Sequence, residues 1–340
     1  MTCFRNIDRT RPGLCHTQGG CIVQDNVIKE APVSVGISGG SEGQKMSRID
    51  QRTADFQAEQ KRLLRLAYRM LGSISDAEDV VQDAWLRWER AEGGIDSPKT
   101  YLTRIVTRLC IDRHKSARAR REVYVGPWLP DPLIGADEPN EMIANDITVT
   151  LMLAMERLSP LERAAFLLHD VFDVTLADVA ITLGREPAAV RQLASRARKH
   201  VQDARPRFTV EAAEADRITR AFFTAARDGD TERLSEILAR DVEIHTDGGG
   251  KALAFRNIVH GIDRALRLFA GLRRKKATPP TLLRTARIDG LPGYLSVDRG
   301  GVVQTTALDI RNGRICAIYI VRNPDKLAHI SIVGQRLARS

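Results

Sequence analysis

The chain has 340 residues, enough for two or three domains with separate cores, and carries 52 Lys and Arg against 43 Asp and Glu, a net charge of +9 that suits a polyanionic partner. No run of 18 apolar residues appears, which excludes a helical membrane span, and residues 1–20 lack the apolar centre of a signal peptide. The five cysteines are odd in number and match no zinc spacing, and a reducing cytoplasm is the expected compartment; no metal and no cofactor are expected.

Residues 1–45 show no helical or strand period and cluster Gly and Ser at Ser38-Gly-Gly-Ser-Glu-Gly43, the composition of a disordered leader. Met46 is a second candidate start codon, and a regulatory tail is the alternative. A first helical domain is expected over 48–122, with Phe56, Leu63, Leu64, Ala67, Met70 and Leu71 as its first apolar stripe. The next helix places Ala77, Val80, Val81, Ala84 and Trp88 on one face and Asp79, Gln82, Asp83 and Arg87 on the other. Ser75 and Glu78 have the spacing of a capping box at its start. A loop over 92–96 leads to a third helix opening at Ser97-Pro98, apolar at Leu102, Ile105, Val106 and Leu109. Opposite that stripe stand Arg104, Arg108 and Lys115, within a basic run that includes Arg113, Arg118, Arg120 and Arg121. Such a face either neutralises phosphates or is simply solvated.

Residues 123–148 read as a linker. Tyr124-Val-Gly-Pro-Trp-Leu-Pro-Asp-Pro132 is too rich in Gly and Pro for regular structure, yet Tyr124, Trp128 and Leu129 are too apolar to stay uncovered. A second helical unit over 149–205 carries capping boxes at Ser159–Glu162 and Thr175–Asp178. Its helix over 175–183, turn at Gly184-Arg185 and helix over 187–201 read as a helix-turn-helix. Val190 and Ala194 should face its core, leaving Arg191, Gln192, Ser195 and Arg196 able to reach base edges, and Arg198 and Lys199 able to reach phosphates. Glu186 stands at the cap of that helix, where an acid suits the helix end but repels a nearby phosphate. From 212 the pattern changes to two helical stretches, 212–227 and 230–239, and then to alternating runs over 242–246, 281–288, 293–297, 302–310 and 315–321. Arg311-Asn-Gly-Arg314 joins the last two as a hairpin, giving an α+β domain over 212–330. Cys110 and Cys316 lie in apolar periodic segments and read as small buried hydrophobes.

In this order the motifs resemble those of extracytoplasmic-function sigma factors: a polymerase-binding helix, a basic helix, a linker and a helix-turn-helix. Three further motifs, Tyr124–Pro132, Asp247-Gly-Gly-Gly-Lys251 and Asn323-Pro-Asp-Lys-Leu327, resemble the hallmarks of a subgroup with a fused C-terminal SnoaL-like domain. Asp131 stands where Glu is more usual. The resemblance implies a multidomain fold: two all-α sigma domains, region 2 and region 4, plus an α+β SnoaL-like cone of the type found in nuclear transport factor and ketosteroid isomerase. It further implies that Asp79, Gln82, Asp83 and Trp85 bind core RNA polymerase, and that Arg104, Arg108, Arg113 and Lys115 meet the minus-10 element. Residues 90–98 correspond to the loop that captures a flipped-out promoter base, with Trp88 either its aromatic wall or a core residue. Arg191, Gln192, Ser195, Arg196 and Arg198 would read the minus-35 element. Trp128, Leu129, Pro130, Asp247, Lys251, Asn323, Asp325 and Lys326 would form a regulatory contact in place of a separate anti-sigma factor, or else the loops merely close the cone.

His245, Asp247, Tyr294, Asp298 and Tyr319 are the acid–base candidates of the cone, but catalysis is not expected, since Asp247 opens a Gly-rich loop. The expected partners are core RNA polymerase and promoter DNA, with no membrane, and with an unidentified small ligand of the cone left open. The alternatives are an ordinary helix-turn-helix regulator, and a SnoaL-like isomerase or cyclase fused to a DNA-binding domain.

Overall fold

The computed structural model describes residues 40–92, 94–135, 148–202, 211–275, 278–298 and 300–337. The expected leader lies outside the described residues up to 39, as do linker residues 136–147. Helix α1 (Gly40–Leu71) begins inside the stretch expected to lack periodic structure. It ends at Gly72, whose φ of +71° turns the chain into α2 (Ile74–Glu89). The cap of α2 is Ser73, which accepts from the Asp76 amide, and not the expected Ser75, which is exposed in the first turn. Ser97 caps α3 (Pro98–Glu122) as expected, with Pro98 in its first turn.

After a two-residue strand β1 (Ile134–Gly135), the second helical unit comprises α4 (Val149–Met155), α5 (Pro160–Phe166), α6 (Leu176–Leu183) and α7 (Pro187–Val201). Ser159 and Glu162 form the full reciprocal capping box, while Thr175 accepts from the Asp178 amide. Gly184 closes α6 at a φ of +61°, and Val190 and Ala194 are buried as expected. Separate cores for the two helical units were expected; instead they share one. Leu63, Met70, Trp88, Leu102 and Val106 belong to the same apolar cluster as Met152, Phe166, Leu167 and Val190.

The third domain opens with α8 (Ala212–Asp228) and α9 (Thr231–Ile237). Its strands are β2 (Leu238–Asp247), β3 (Val259–His260), β4 (Thr281–Ile288), β5 (Leu291–Val297), β6 (Val303–Arg311) and β7 (Arg314–Val321). Two helices went unread in the sequence: α10 (Ile262–Arg274), before β4, and α11 (Pro324–Leu337), which continues past the expected end of the domain. The sheet order is β1-β4-β5-β6-β7-β2-β3, and among the described residues only β2 and β7 pair in parallel. Asn312 and Gly313, both at positive φ, turn β6 into β7 as the Asn-Gly pair predicts.

Alternation along the strands gives this mixed sheet two apolar faces. Tyr294, Leu308 and Ile318 face α8 and α10 through Phe222 and Phe269. Leu295, Ala307, Ala317 and Val321 face the other way and meet Leu129 of the linker, Val149 of α4 and Leu327 of α11. The linker is therefore not a free tether: β1 adds to the sheet edge through Ile134 opposite Ile288. Cys110 is buried as expected, whereas Cys316 is partly exposed.

Candidate functional site

The face of α2 expected to meet polymerase borders a groove of about 420 Å³ lined by Phe56, Gln60, Leu64, Val81, Gln82 and Trp85. Trp85 packs edge-on against Phe56 at 5.0 Å, so its ring forms a fixed wall of that groove. Gln82 and Asp83 are exposed beside it. Asp79 is also exposed but is not free, because Arg113 of α3 ion-pairs with it and with Asp76 (3.2 Å). Arg113, expected to meet the minus-10 element, is thus committed to ion pairs with α2. Arg104 and Arg108 remain exposed, and the Lys115 side chain lies outside the described residues. Trp88 is core: it is 2 % exposed, and its indole N–H donates to the Arg52 carbonyl at 2.9 Å.

On α7, Arg191, Gln192, Ser195 and Arg196 project outward together. Arg198 shares that exposure but is bonded to Asp170 at 2.8 Å, which partly neutralises it. Glu186 precedes α7 without any side-chain hydrogen bond to the helix, so the expected capping contact is not made.

The densest polar cluster ties the linker to the third domain. Asp247, at the end of β2, is 0 % exposed. One of its oxygens accepts from the Tyr124 hydroxyl (2.6 Å); the other accepts from the Leu129 amide (2.9 Å) and from Lys326 Nζ (2.8 Å). Asn323 Nδ2 donates to the same Tyr124 oxygen at 2.8 Å, and Lys326 also donates to the Leu129 carbonyl. A carboxylate that accepts three such hydrogen bonds is held at a fixed place. Burial pulls the Lys326 ammonium down, against the pull of Asp247. Two cations contact the Trp128 ring: the Arg121 guanidinium carbon lies 3.8 Å and Lys326 Nζ 4.4 Å from its centroid. Leu129 and Pro130 are buried. Lys251 and Asp325 do not hold the linker. They pair with each other at 2.5 Å, 57 % and 62 % exposed, because their loops reach past the cluster into solvent.

A second latch was not foreseen. The Tyr68 hydroxyl of α1 donates to the Asp131 carbonyl (2.7 Å) and to Asp289 of the β4–β5 turn (3.2 Å), while Asp289 also accepts from the Leu133 amide (3.0 Å). Asp131 in turn accepts from the Ile74 amide at 2.8 Å, so a linker carboxylate sits at the start of α2. Glu156 of the second helical unit binds Arg163 (2.5 Å) and Arg121, and Arg163 donates to the Arg69 carbonyl at 3.0 Å. The only sequence signal for Asp289 was its Asp-Gly pair, which reads as a turn.

The acid–base candidates are dispersed. Tyr294 is enclosed among Phe222 and Phe223, and burial pushes its hydroxyl up to about 12. Tyr319 stacks on His245 and contacts Thr150 of α4 at 3.1 Å. Burial lowers the pKa of His245, against its bond to Glu243. Asp298 pairs with Arg322 and caps its own turn through Gly300 and Val302. Among the described residues no group of His, Cys, Asp and Glu has the makings of a metal site, and no helix is long and apolar enough to cross a membrane.

Residues 56–120 match the family model Sigma-70 region 2, and residues 148–201 match Sigma-70, region 4. The chain is 36% identical to "ECF RNA polymerase sigma factor SigJ" of Mycobacterium tuberculosis over 80% of its own length and 92% of that protein. It is 33% identical to "Probable ECF RNA polymerase sigma factor SigI" of the same organism over 83% of its length and 97% of the relative. The crystal structure of Mycobacterium tuberculosis SigJ superposes with a TM-score of 0.67 at 34% identity, covering 81% of this chain and 98% of that one. With two sigma regions in order and a third domain carried in common with such a relative, this chain belongs to the extracytoplasmic-function sigma factors of RNA polymerase.

Proposed function

We propose that the C-terminal SnoaL-like domain of this sigma factor is a built-in modulator that acts by gripping the linker between regions 2 and 4. The observation that carries this reading is Asp247, whose buried carboxylate binds Tyr124, the Leu129 amide and Lys326 at once. Held in that way, the linker fixes the spacing of the two DNA-reading units, and so their access to a two-part promoter. On this reading core RNA polymerase docks on the groove beside Gln82, Asp83 and Trp85, with Asp79 available once Arg113 lets go. Arg104 and Arg108 take the minus-10 element; Arg191, Gln192, Ser195 and Arg196 take the minus-35 element, with Arg198 on a phosphate. The SnoaL-like domain acts without turnover and without a cofactor, and the factor works in the cytoplasm with neither a membrane partner nor a separate anti-sigma protein. Support for a non-catalytic role comes from Asp247, the one fully enclosed acid–base candidate carboxylate, being committed to the linker.

Run-off transcription with core RNA polymerase tests this, comparing the full chain, a version ending near residue 207, and Trp128→Ala in the full chain. Both alterations should change transcript yield several-fold while core-polymerase affinity stays the same. Equal yields from all three at equal core binding would falsify the modulator reading.

A further inference from the structure

We propose that the solvent face of α10 is an additional DNA-binding surface, one that holds phosphates of the promoter duplex outside the two elements read by regions 2 and 4. Arg264, Arg267 and Arg274 recur at three and seven residues, and Lys275 follows directly, so all four share one side of the helix. All four are exposed. At 1.5 Å per residue the arginines span about 15 Å, the axial length of four or five base steps on one strand, at about 3.4 Å per phosphate. The opposite side of α10 is fixed in the domain core through Ala265 and Phe269, so the basic side is presented rigidly. It lies on the helical side of the sheet, away from the face that meets the linker and α4.

The arginines of neighbouring α8 are locally neutralised: Arg217 pairs with Glu214, Arg220 with Asp216 and Arg227 with Asp228. Arg264, Arg267 and Arg274 of α10 are not, whereas Arg273, on the opposite side, lies near Asp228. Asp263 borders the stripe at the i,i+4 spacing from Arg267, yet among the described residues no carboxylate ion-pairs with Arg264, Arg267, Arg274 or Lys275. Uncompensated cations on one face carry a cost in mutual repulsion that an anionic partner removes.

Gly271 is the second observation. It sits in the same stripe, between Arg267 and Arg274, and a Cβ added there would have nothing within 4 Å. A glycine in a helix costs about 1 kcal/mol relative to alanine, and no internal packing requires this one. It leaves a shallow gap in the stripe between Arg267 and Arg274, where a sugar-phosphate backbone can come close to the helix.

The face lacks what a protein partner would use. Among the described residues none of the exposed large hydrophobic side chains lies on α10, and protein interfaces draw their strength from buried apolar or aromatic anchors. Charge without an apolar anchor fits a polyanion read by its backbone.

The inference rests on the sigma factor's use of promoter DNA, and the test separates the two. Anisotropy titrations of the full chain in complex with core polymerase would compare a promoter duplex ending at the outer edges of its two elements with one extended upstream. The proteins are the parent, Arg264→Gln/Arg267→Gln/Arg274→Gln, the same triple with Lys, and Arg191→Ala/Arg196→Ala. The Gln triple should weaken binding to the extended duplex alone, and the Lys triple should restore it. The loss of affinity between roughly 50 and 200 mM salt should shrink by about 40-fold, from about 0.9 in the log–log slope for each of three phosphates. If the Gln triple binds the extended duplex as the parent does while the Arg191/Arg196 variant fails on both duplexes, α10 is not a DNA surface. If the Gln triple weakens core polymerase binding without DNA, the partner is the polymerase and the inference is overturned. If neither variant alters DNA binding, the promoter contact assigned to region 4 fails as well.

Discussion

A carboxyl group wholly enclosed by protein is cheaper to bury neutral than charged. Asp289 is in that position: burial, with some help from the Asp131 charge, raises its pKa to about 7, against the hydrogen bonds from Leu133 and Tyr68. Asp131 is itself raised by burial, while Lys326 and His329 pull it down. Because the folded pKa of Asp289 lies above its unfolded value, the stability it contributes is complete in acid and is lost as pH rises from about 4 through 7. Between pH 5 and 8 that loss is on the order of 2–3 kcal/mol. Asp289→Asn keeps an acceptor for Tyr68 and Leu133 but cannot ionise. Its stability relative to the parent should therefore improve from pH 5 to pH 8, measured by urea unfolding; a constant difference across that range would show that Asp289 does not titrate there. The importance of Asp247 was legible, because Asp-Gly-Gly-Gly-Lys is an unusual run beside a strand. That of Asp289 was not, because Tyr68, Leu133 and Asp289 meet only after folding.

At the scale of elements, the joint between α1 and α2 closes directly onto the linker. Gly72 holds a φ of +71°, its carbonyl accepts from the Asp131 amide at 3.0 Å, and a Cβ there would fall 2.5 Å from the Trp128 ring. Gly72→Ala should destabilise the chain by about 2–5 kcal/mol, the sum of left-handed strain and displacement of a packed ring. Gly94→Ala, with nothing within 4 Å of the new Cβ, should stay within about 0.5 kcal/mol. Equal unfolding midpoints for the two variants would mean that Trp128 is not seated against this turn. Most elements were readable in the sequence because helix and strand periods differ, and caps such as Ser97 and Ser159 mark helix starts. The cap of α2 lies two residues before the position that the Ser75–Glu78 spacing predicts, because Gly72 turns the chain and sets the start at Ser73. Strands β1 and β3 exist only through their pairing with β4 and β2, so no local signal could announce them.

Across the whole molecule the sequence indicates which faces are apolar but not what covers them. The stripes of both helical units were visible; that they close on one another in a single cluster was not. The shared core makes a prediction about cooperativity. The three tryptophans, Trp85, Trp88 and Trp128, all precede the second helical unit. Met152→Ala, at a site 1 % exposed within that unit, should cost about 2–5 kcal/mol and lower the melting temperature read by tryptophan fluorescence. An unshifted tryptophan transition would show that the helical units melt independently.

The docking of the linker on the sheet through Leu129 and β1 has one more consequence. Grip and target belong to one polypeptide, so they meet at an effective concentration on the order of millimolar, whatever the amount of protein in the cell. A regulator supplied as a separate chain can be outnumbered by making more sigma factor. If the third domain modulates as proposed, fusion keeps it at a one-to-one ratio with its target at every expression level, and release then depends on events within the molecule or on the partners that bind it.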